Sequence, residues 1–541
     1  MSSDSALPRR RVLLALLAGI AAFCIVWIAT APPGPGLDPD SASYLNAAES
    51  LVRHGALRAP TFYDWASPDS TEPLAHFPPG MPTALAIPRA LGASQPTAAR
   101  LVEASAALVT AGSTLLLVGA AAGPLAGVLA MLMLFATPAV LETHLSILSE
   151  PLFYALLVVT LTLMVRAPDR PLRYGITAAV GSLVRYAGIS LVGAAVLWAF
   201  ALGTTLRERV RRAAIAALPT LFGYGAWLAR TKYETGGGVR EVGVYHGFMA
   251  TVREGAATVA AWLAPSLDEG AVRTLVALVV LALLVALVVA AVRRRSIHDG
   301  ATRRATSIPP HRLLAATLLL AGVYVTVVVL SRLFADGAIP FDNRILSPLI
   351  LLVELAVVVS LAVWWRAPGT RALRVVAAAV LLAWWGASLA SSWNDVSYMM
   401  ENGSDYGDVQ WRTSPLVAWA RTDGARCALF TNHPTALYFQ AHRLVRGTPL
   451  AQPLDTLRAF ADTLVARGGA LIAFDEPSGA FAVPPDSVLR ALSLERIARL
   501  ADGSVWVPAS IASTAIGIPM DGATNGHARC GESSRFSTRR R

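Results

Sequence analysis

Two carboxylates in the run Gly36 to Tyr44 (GLDPDSASY) stand just outside the first apolar segment of the chain: Asp38 and Asp40. A carboxylate beside a membrane can accept a proton from an attacking group, so chemistry at the membrane surface is the leading expectation. Ser41 to His54 has amphipathic helical spacing through Tyr44, Leu45, Ala48, Leu51 and Val52, and such a helix would hold both aspartates next to the lipid headgroups. The same spacing admits a plainer role, in which the aspartates only initiate that helix. Asp40 would then be its N-cap, with Pro39 fixing the approach.

Further ionisable residues fall at the ends of apolar segments. In the run from Leu141 to Pro151 (LETHLSILSEP), Glu142, His144 and Glu150 could line a cavity on the same side. Ser149 or Glu150 could instead cap the helix that Pro151 opens. His76 begins HFPPGMP, where prolines forbid an uninterrupted helix and a re-entrant or interfacial element is expected; His76 is either a substrate ligand or polar surface. Arg185 and Arg344 both lie where apolar segments end, and the planar donor fork of arginine suits a phosphate. Their plainer reading is snorkelling to the interface, or for Arg344 a pairing with Asp342.

These residues need elements to position them, and the composition says which kind. With 541 residues, 55% hydrophobic and 15% charged, the chain has the balance of a polytopic membrane protein. A net charge of +11 does not point to nucleic acid, because the arginines cluster in short runs between apolar segments, the pattern that sets topology. Apolar segments are expected to cross at 12–30, 98–120, 125–141, 151–165, 213–228, 272–292, 313–333, 345–365 and 375–393. Residues 174–206 carry Arg185 near the middle and arginine clusters on both flanks, so two short helices with Arg185 near an outer apex are expected. About eleven crossings result, with an uncleaved first helix, a cytoplasmic N-terminus and the C-terminal region outside. That parity gathers the first loop, the 231–270 loop, the Asp342 region and the C-terminal region on one face.

The expected organisation is a transmembrane domain over 1–393 with an outer first loop at 31–97, an extracytoplasmic α/β domain over 394–509, and a disordered tail at 510–541. In the outer domain, strands are expected at 427–431, 470–474 and 504–507, with helices at 434–442 and 456–467. Cys24, Cys427 and Cys530 have no metal-ligand spacing, and a bridge between the last two is not favoured. There is no P-loop, dinucleotide glycine fingerprint or HExxH, which argues against a nucleotide-driven motor.

In this order the motifs resemble the GT-C superfamily of integral-membrane glycosyltransferases, in particular bacterial members that attach lipid-carried sugars or aminoarabinose and the protein O-mannosyltransferases. The resemblance rests on Asp40 with Tyr44 after the first helix, Pro78 to Gly80, Ser149-Glu150-Pro151, Arg185 in a short hairpin, Arg344 with Pro348, and Thr431 to Tyr438 in the outer domain. It implies transfer of a sugar from a polyprenyl-phosphate donor to a glycan, lipid or protein acceptor at the outer face of the bacterial inner membrane. It further implies Asp40 as general base, with Asp38 in reserve, inversion by direct displacement, and Arg344 and Arg185, joined by Lys232 or Arg240, on the departing phosphate. Tyr44, His76, Glu142, His144 and Glu150 would line the substrate cavity. The family's first-loop motif is often Asp-Glu, whereas Ser41 follows Asp40 here, so no metal ligands are carried over and a divalent metal stays open as a cofactor. The rival expectations are a transporter or flippase for a lipid-linked or glycan substrate, and a noncatalytic binding protein.

Overall fold

The computed structural model describes residues 9–510 and 512, except 68, 238–242, 266, 294–306, 337–338, 367–370, 451 and 477–480. Arg240, position 530 and nearly all of the expected tail at 510–541 lie outside the described residues. The chain divides into two compact units. The first comprises Met1–Pro35, Ala48–Leu57 and Pro73–Glu401, the second Gly36–Ala47, Arg58–Glu72 and Asn402–Arg541.

Every apolar segment anticipated from the sequence is helical. In chain order the helices are α1 (Arg9–Ala29), α2 (Pro39–His54), α3 (Gly80–Ala90), α4 (Gln95–Ala122), α5 (Pro124–Ala136), α6 (Pro138–Leu145), α7 (Glu150–Arg166), α8 (Pro171–Val184), α9 (Ile189–Ala201), α10 (Leu206–Thr235), α11 (Phe248–Leu263), α12 (Ala271–Arg293), α13 (Pro310–Phe334), α14 (Asn343–Arg366) and α15 (Arg371–Asn402). Among the described residues six helices, α1, α4, α12, α13, α14 and α15, are long and apolar enough to cross a membrane. The protein is a multi-pass helical membrane protein. The single crossing expected at 125–141 is instead two helices, α5 and α6, bent by 67°. Pro138 cannot donate to the helix ladder and holds Thr137 in the extended region, which breaks the span there. The Thr137 hydroxyl reaches the Met133 carbonyl at 3.0 Å and the Glu354 carboxyl, so the break is furnished with polar partners.

Helix α14 lies at the centre of this unit, with 72% of its apolar window buried, whereas α12 and α15 are each buried over only 11% of theirs. Outward rows of Leu, Val and Ala on α12 and α15 are what a bilayer would cover. The interior is filled by Phe153, Tyr154, Tyr174, Leu191, Tyr324 and Leu351, drawn from five helices.

The second unit is built on a five-stranded sheet. Its strands are β3 (Ala428–Thr431), β4 (Val445–Gly447), β5 (Gly469–Phe474), β6 (Leu494–Leu500) and β7 (Gly503–Pro508), in the order β4-β3-β5-β7-β6. Strand β3 runs parallel to β4 and β5, while β7 is antiparallel to β5 and β6. Alternation sends Phe430, Leu471 and Trp506 to one face, against Phe460, and Leu429, Ile472 and Val505 to the other, against Trp411. Strands β3, β5 and β7 follow the sequence expectation. β4 and β6 were not anticipated; β6 carries Glu495, Arg496 and Arg499, the charges that keep an edge strand from pairing further.

The first loop contributes β1 (Arg58–Pro60) and β2 (Thr71–Pro73), a two-stranded ribbon. Its stretch from Arg58 to Glu72 is stitched to the sheet unit: Gly447 N–H donates to the Phe62 carbonyl at 2.8 Å, Arg467 Nη2 to the Ala66 and Ser67 carbonyls at 2.7 Å each, and Trp65 packs edge-on against Phe460. Cys427, against the sequence expectation, is disulfide-bonded.

Asn432, just after β3, donates to the Phe474 carbonyl at 3.0 Å and the Glu476 carbonyl at 3.3 Å and accepts from Phe474 N–H at 2.9 Å. Removing its amide leaves buried backbone groups unpaired, at about 1–3 kcal/mol. In Asn432→Ala, amide exchange of the intact protein over 470–476 is expected to accelerate while that of α14 is unchanged.

Candidate active site

Glu150 opens α7 and is completely buried, and two arginines from distant segments converge on it. Arg185 Nη1 approaches Glu150 Oε1 at 2.5 Å, and Arg344 Nε donates to the same oxygen at 2.6 Å. The arginine side chains are 11% and 24% exposed. Two guanidiniums sharing one carboxylate give this trio a net positive charge, the arrangement that suits an anion.

Local backbone explains the convergence. Pro151 fits the first turn of α7, where no N–H is needed, so the helix starts with Glu150 at the dipole's positive end. Ser149 does not cap it: no side-chain cap bond is made, and its hydroxyl accepts from Arg185 Nη1 at 3.0 Å instead. Arg185 sits in the extended break between α8 and the short 3-10 turn at Tyr186–Gly188, which leads into α9. A Cβ at Gly188 would come 2.2 Å from the Gly181 carbonyl oxygen, so only glycine lets the chain turn this tightly. Gly80, the last residue of the Pro-Pro-Gly motif, touches the end of α8, where a Cβ would meet the Leu183 carbonyl oxygen at 2.6 Å. The motif thus closes α3 onto the turn that carries Arg185. Arg344 lies in the first turn of α14, where Asp342 Oδ1 accepts from Ile345 N–H at 3.0 Å. Asp342 serves as a cap.

Neutral hydroxyls surround the trio, and sequence reasoning missed them. Tyr154, one turn along α7 from Glu150, donates to Ser347 Oγ at 2.5 Å and lies 3.0 Å from Thr143 Oγ1. Tyr324 donates to the Ile345 carbonyl at 2.5 Å. Their signal was present as spacing: Tyr154 is four residues from Glu150, and Ser347 three from Arg344. His144 joins this layer through its ring, between Phe135 and Tyr154, and its Nδ1 is 2.8 Å from the Val140 carbonyl. Glu142 is half-buried on α6 and His76 is exposed beside Phe77. Lys232 is exposed in the last turn of α10.

The second unit holds the two first-loop aspartates. Helix α2 begins at Pro39, so Asp38 takes the cap position before it and Asp40 lies in the first turn, two places past the cap, which corrects the reading of Asp40 as the N-cap. Asp38 N–H donates to Ser41 Oγ at 3.0 Å, and Ser41 N–H to the Asp38 carbonyl at 3.0 Å. Tyr44 is buried. Burial, with the charge of Asp38, pushes the Tyr406 phenol up to about 12. That phenol therefore stays protonated at neutral pH. Among the described residues no three His, Cys, Asp or Glu side chains gather as a metal site.

No protein-family model and no curated protein matches the chain. Solved structures do. ArnT from Cupriavidus metallidurans, determined bound to undecaprenyl phosphate, is 14% identical with a TM-score of 0.54 over 92% of this chain and 97% of its own. The arabinofuranosyltransferase AftD from mycobacteria is 16% identical with a TM-score of 0.51, over 93% of this chain and 42% of AftD. The chain has a GT-C fold. Within the GT-C fold of this chain, the charged trio belongs to the helical unit and the aspartate pair to the sheet-bearing unit.

Proposed function

We propose that the protein is a glycosyltransferase that moves a sugar from a polyprenyl-phosphate donor to an acceptor hydroxyl at the outer face of the bacterial inner membrane. The observation that carries this reading is the buried Glu150 shared by Arg185 and Arg344, a positive site at the ends of three helical segments. The fold shared with ArnT, itself solved with undecaprenyl phosphate, supports the choice of lipid. The disulfide at Cys427 supports an oxidising compartment for the second unit, and the arginine clusters between the apolar segments support a cytoplasmic N-terminus.

In this reading the acceptor oxygen attacks the anomeric carbon as the bond from that carbon to the phosphate oxygen breaks, with inversion. Asp40 takes the acceptor's proton. The bonding pair leaves on the lipid phosphate, whose growing charge Arg344 and Arg185 stabilise through fixed guanidinium charges and N–H donors. The sugar enters already activated, so no nucleotide is needed.

The test is release of polyprenyl phosphate from a panel of polyprenyl-phosphate sugars by purified protein in lipid, with membrane extract as acceptor. Release by the wild type supports the reading. Failure with every donor, in a folded preparation, overturns it and makes substrate flux the next assay. Arg344→Lys keeps the charge but loses the planar fork, and it is expected to lower kcat/KM by about 10- to 100-fold.

A further inference from the structure

Helix α11 is a short amphipathic element whose role the sequence did not suggest, and a stripe on one of its faces bonds the segment that leads into Arg344. Glu254, Thr258 and Trp262 recur every fourth residue, which puts them on one stripe of the helix. Glu254 Oε1 accepts from Phe341 N–H at 2.8 Å, Thr258 Oγ1 donates to the Phe341 carbonyl at 2.5 Å, and Trp262 Nε1 donates to Asn343 Oδ1 at 2.9 Å. Both polar groups of one peptide residue, and the side chain of the residue just before Arg344, are thus held from the same helix face. Glu254 also pairs with Arg332 at the end of α13, and the Arg332 guanidinium bonds the Ile339 carbonyl and lies 5.2 Å from the centre of the Phe341 ring. Gly255, on the neighbouring face, leaves room for that ring: a Cβ there would lie 3.0 Å from Phe341.

We propose that α11 is the positioning element for Arg344, with Glu254, Thr258 and Trp262 as its three contact residues. The physical reason is stiffness. An arginine at the first turn of a helix is only as well placed as the residues before it, and α14 itself begins at Asn343. Three bonds from one rigid helix fix the approach of 341–343, so that the guanidinium arrives at Glu150 without the segment having to order when a phosphate binds. The inference rests on the assignment of Arg344 to the lipid phosphate for its functional consequence, and on contacts within the helical unit alone for its structural one.

The experiment uses the full-length protein in lipid nanodiscs, with Glu254→Gln, Trp262→Phe, Arg344→Lys and the two double variants that combine each α11 change with Arg344→Lys. Trp262→Phe removes the indole N–H and leaves a smaller aromatic ring in its place, so it serves where Glu254→Gln does not fold. Binding of undecaprenyl phosphate is expected to weaken about tenfold in Glu254→Gln and about fivefold in Trp262→Phe. In the Arg344→Lys background each change is expected to cost less than about twofold, because the two act through one group. Additive losses, or single variants that bind as the wild type does, overturn the proposal. Amide exchange supplies a readout that needs no ligand: over 341–346 it is expected to accelerate in both single variants, with 150–155 unchanged. Unchanged exchange over 341–346 also overturns it. A wild type that binds no polyprenyl phosphate would sink the glycosyltransferase reading, while the exchange measurement would still decide whether α11 holds this segment.

Discussion

Asp40→Asn is expected to leave the protein folded and to slow sugar transfer by about 10²- to 10⁴-fold, the range that a positioned general base supplies. The substitution keeps the size and shape of the side chain and takes away only its ability to hold a proton. Asp40 does not occupy the cap of α2, since the helix starts at Pro39 and Asp38 stands before it. A loss of activity in Asp40→Asn therefore cannot be put down to a lost helix cap. Initial rates of polyprenyl-phosphate release, beside a thermal unfolding curve for each protein, check both points. A fully active Asp40→Asn would remove Asp40 from the mechanism and move the test to Asp38.

Glu150→Ala should act on the fold first. It strands two guanidiniums that have already been taken out of water, a change that costs about 3–5 kcal/mol when a buried partner is removed. The side chains of Arg185 and Arg344 are 11% and 24% exposed, so solvent can rescue them only in part. The expected result is a clear drop in the thermal midpoint of the detergent-solubilised protein. Glu150→Gln, which keeps hydrogen bonding but not charge, should fall in between. A midpoint equal to wild type for Glu150→Ala would mean that the trio is not a desolvated cluster at all.

Much of the helical unit was legible in the chain because hydrocarbon tolerates so few structures and long apolar runs had to be helices, but the break at Pro138 was not anticipated and divides the crossing expected at 125–141. Arg185, Glu150 and Arg344 stood out as candidates for a related reason, since ionisable groups at the ends of such runs are costly unless they have partners. The sequence could not show that the three share one oxygen, because they are brought together from positions 150, 185 and 344 by packing alone. Tyr154 and Ser347 escaped notice because hydroxyl residues are common in apolar helices and carry no charge to mark them. Strand β6 escaped because its charged residues read as solvated polar chain. The stripe of Glu254, Thr258 and Trp262 shows a further limit, for its partners lie some eighty residues away and only the folded chain pairs them.

The carboxylate of Glu150 bears on a problem that every enzyme with a tight hold on its leaving group must solve. A pair of arginines that stabilised a departing lipid phosphate with nothing else to bind would also keep that phosphate afterwards, and each catalytic cycle would end with a blocked site. Here the arginines already have a resident anion within 2.6 Å. In the proposed reaction an arriving phosphate competes with Glu150 for them, and Glu150 reclaims them when the spent lipid carrier diffuses away. The buried carboxylate would then act as a built-in displacer, giving up some strength of product binding in exchange for speed of renewal.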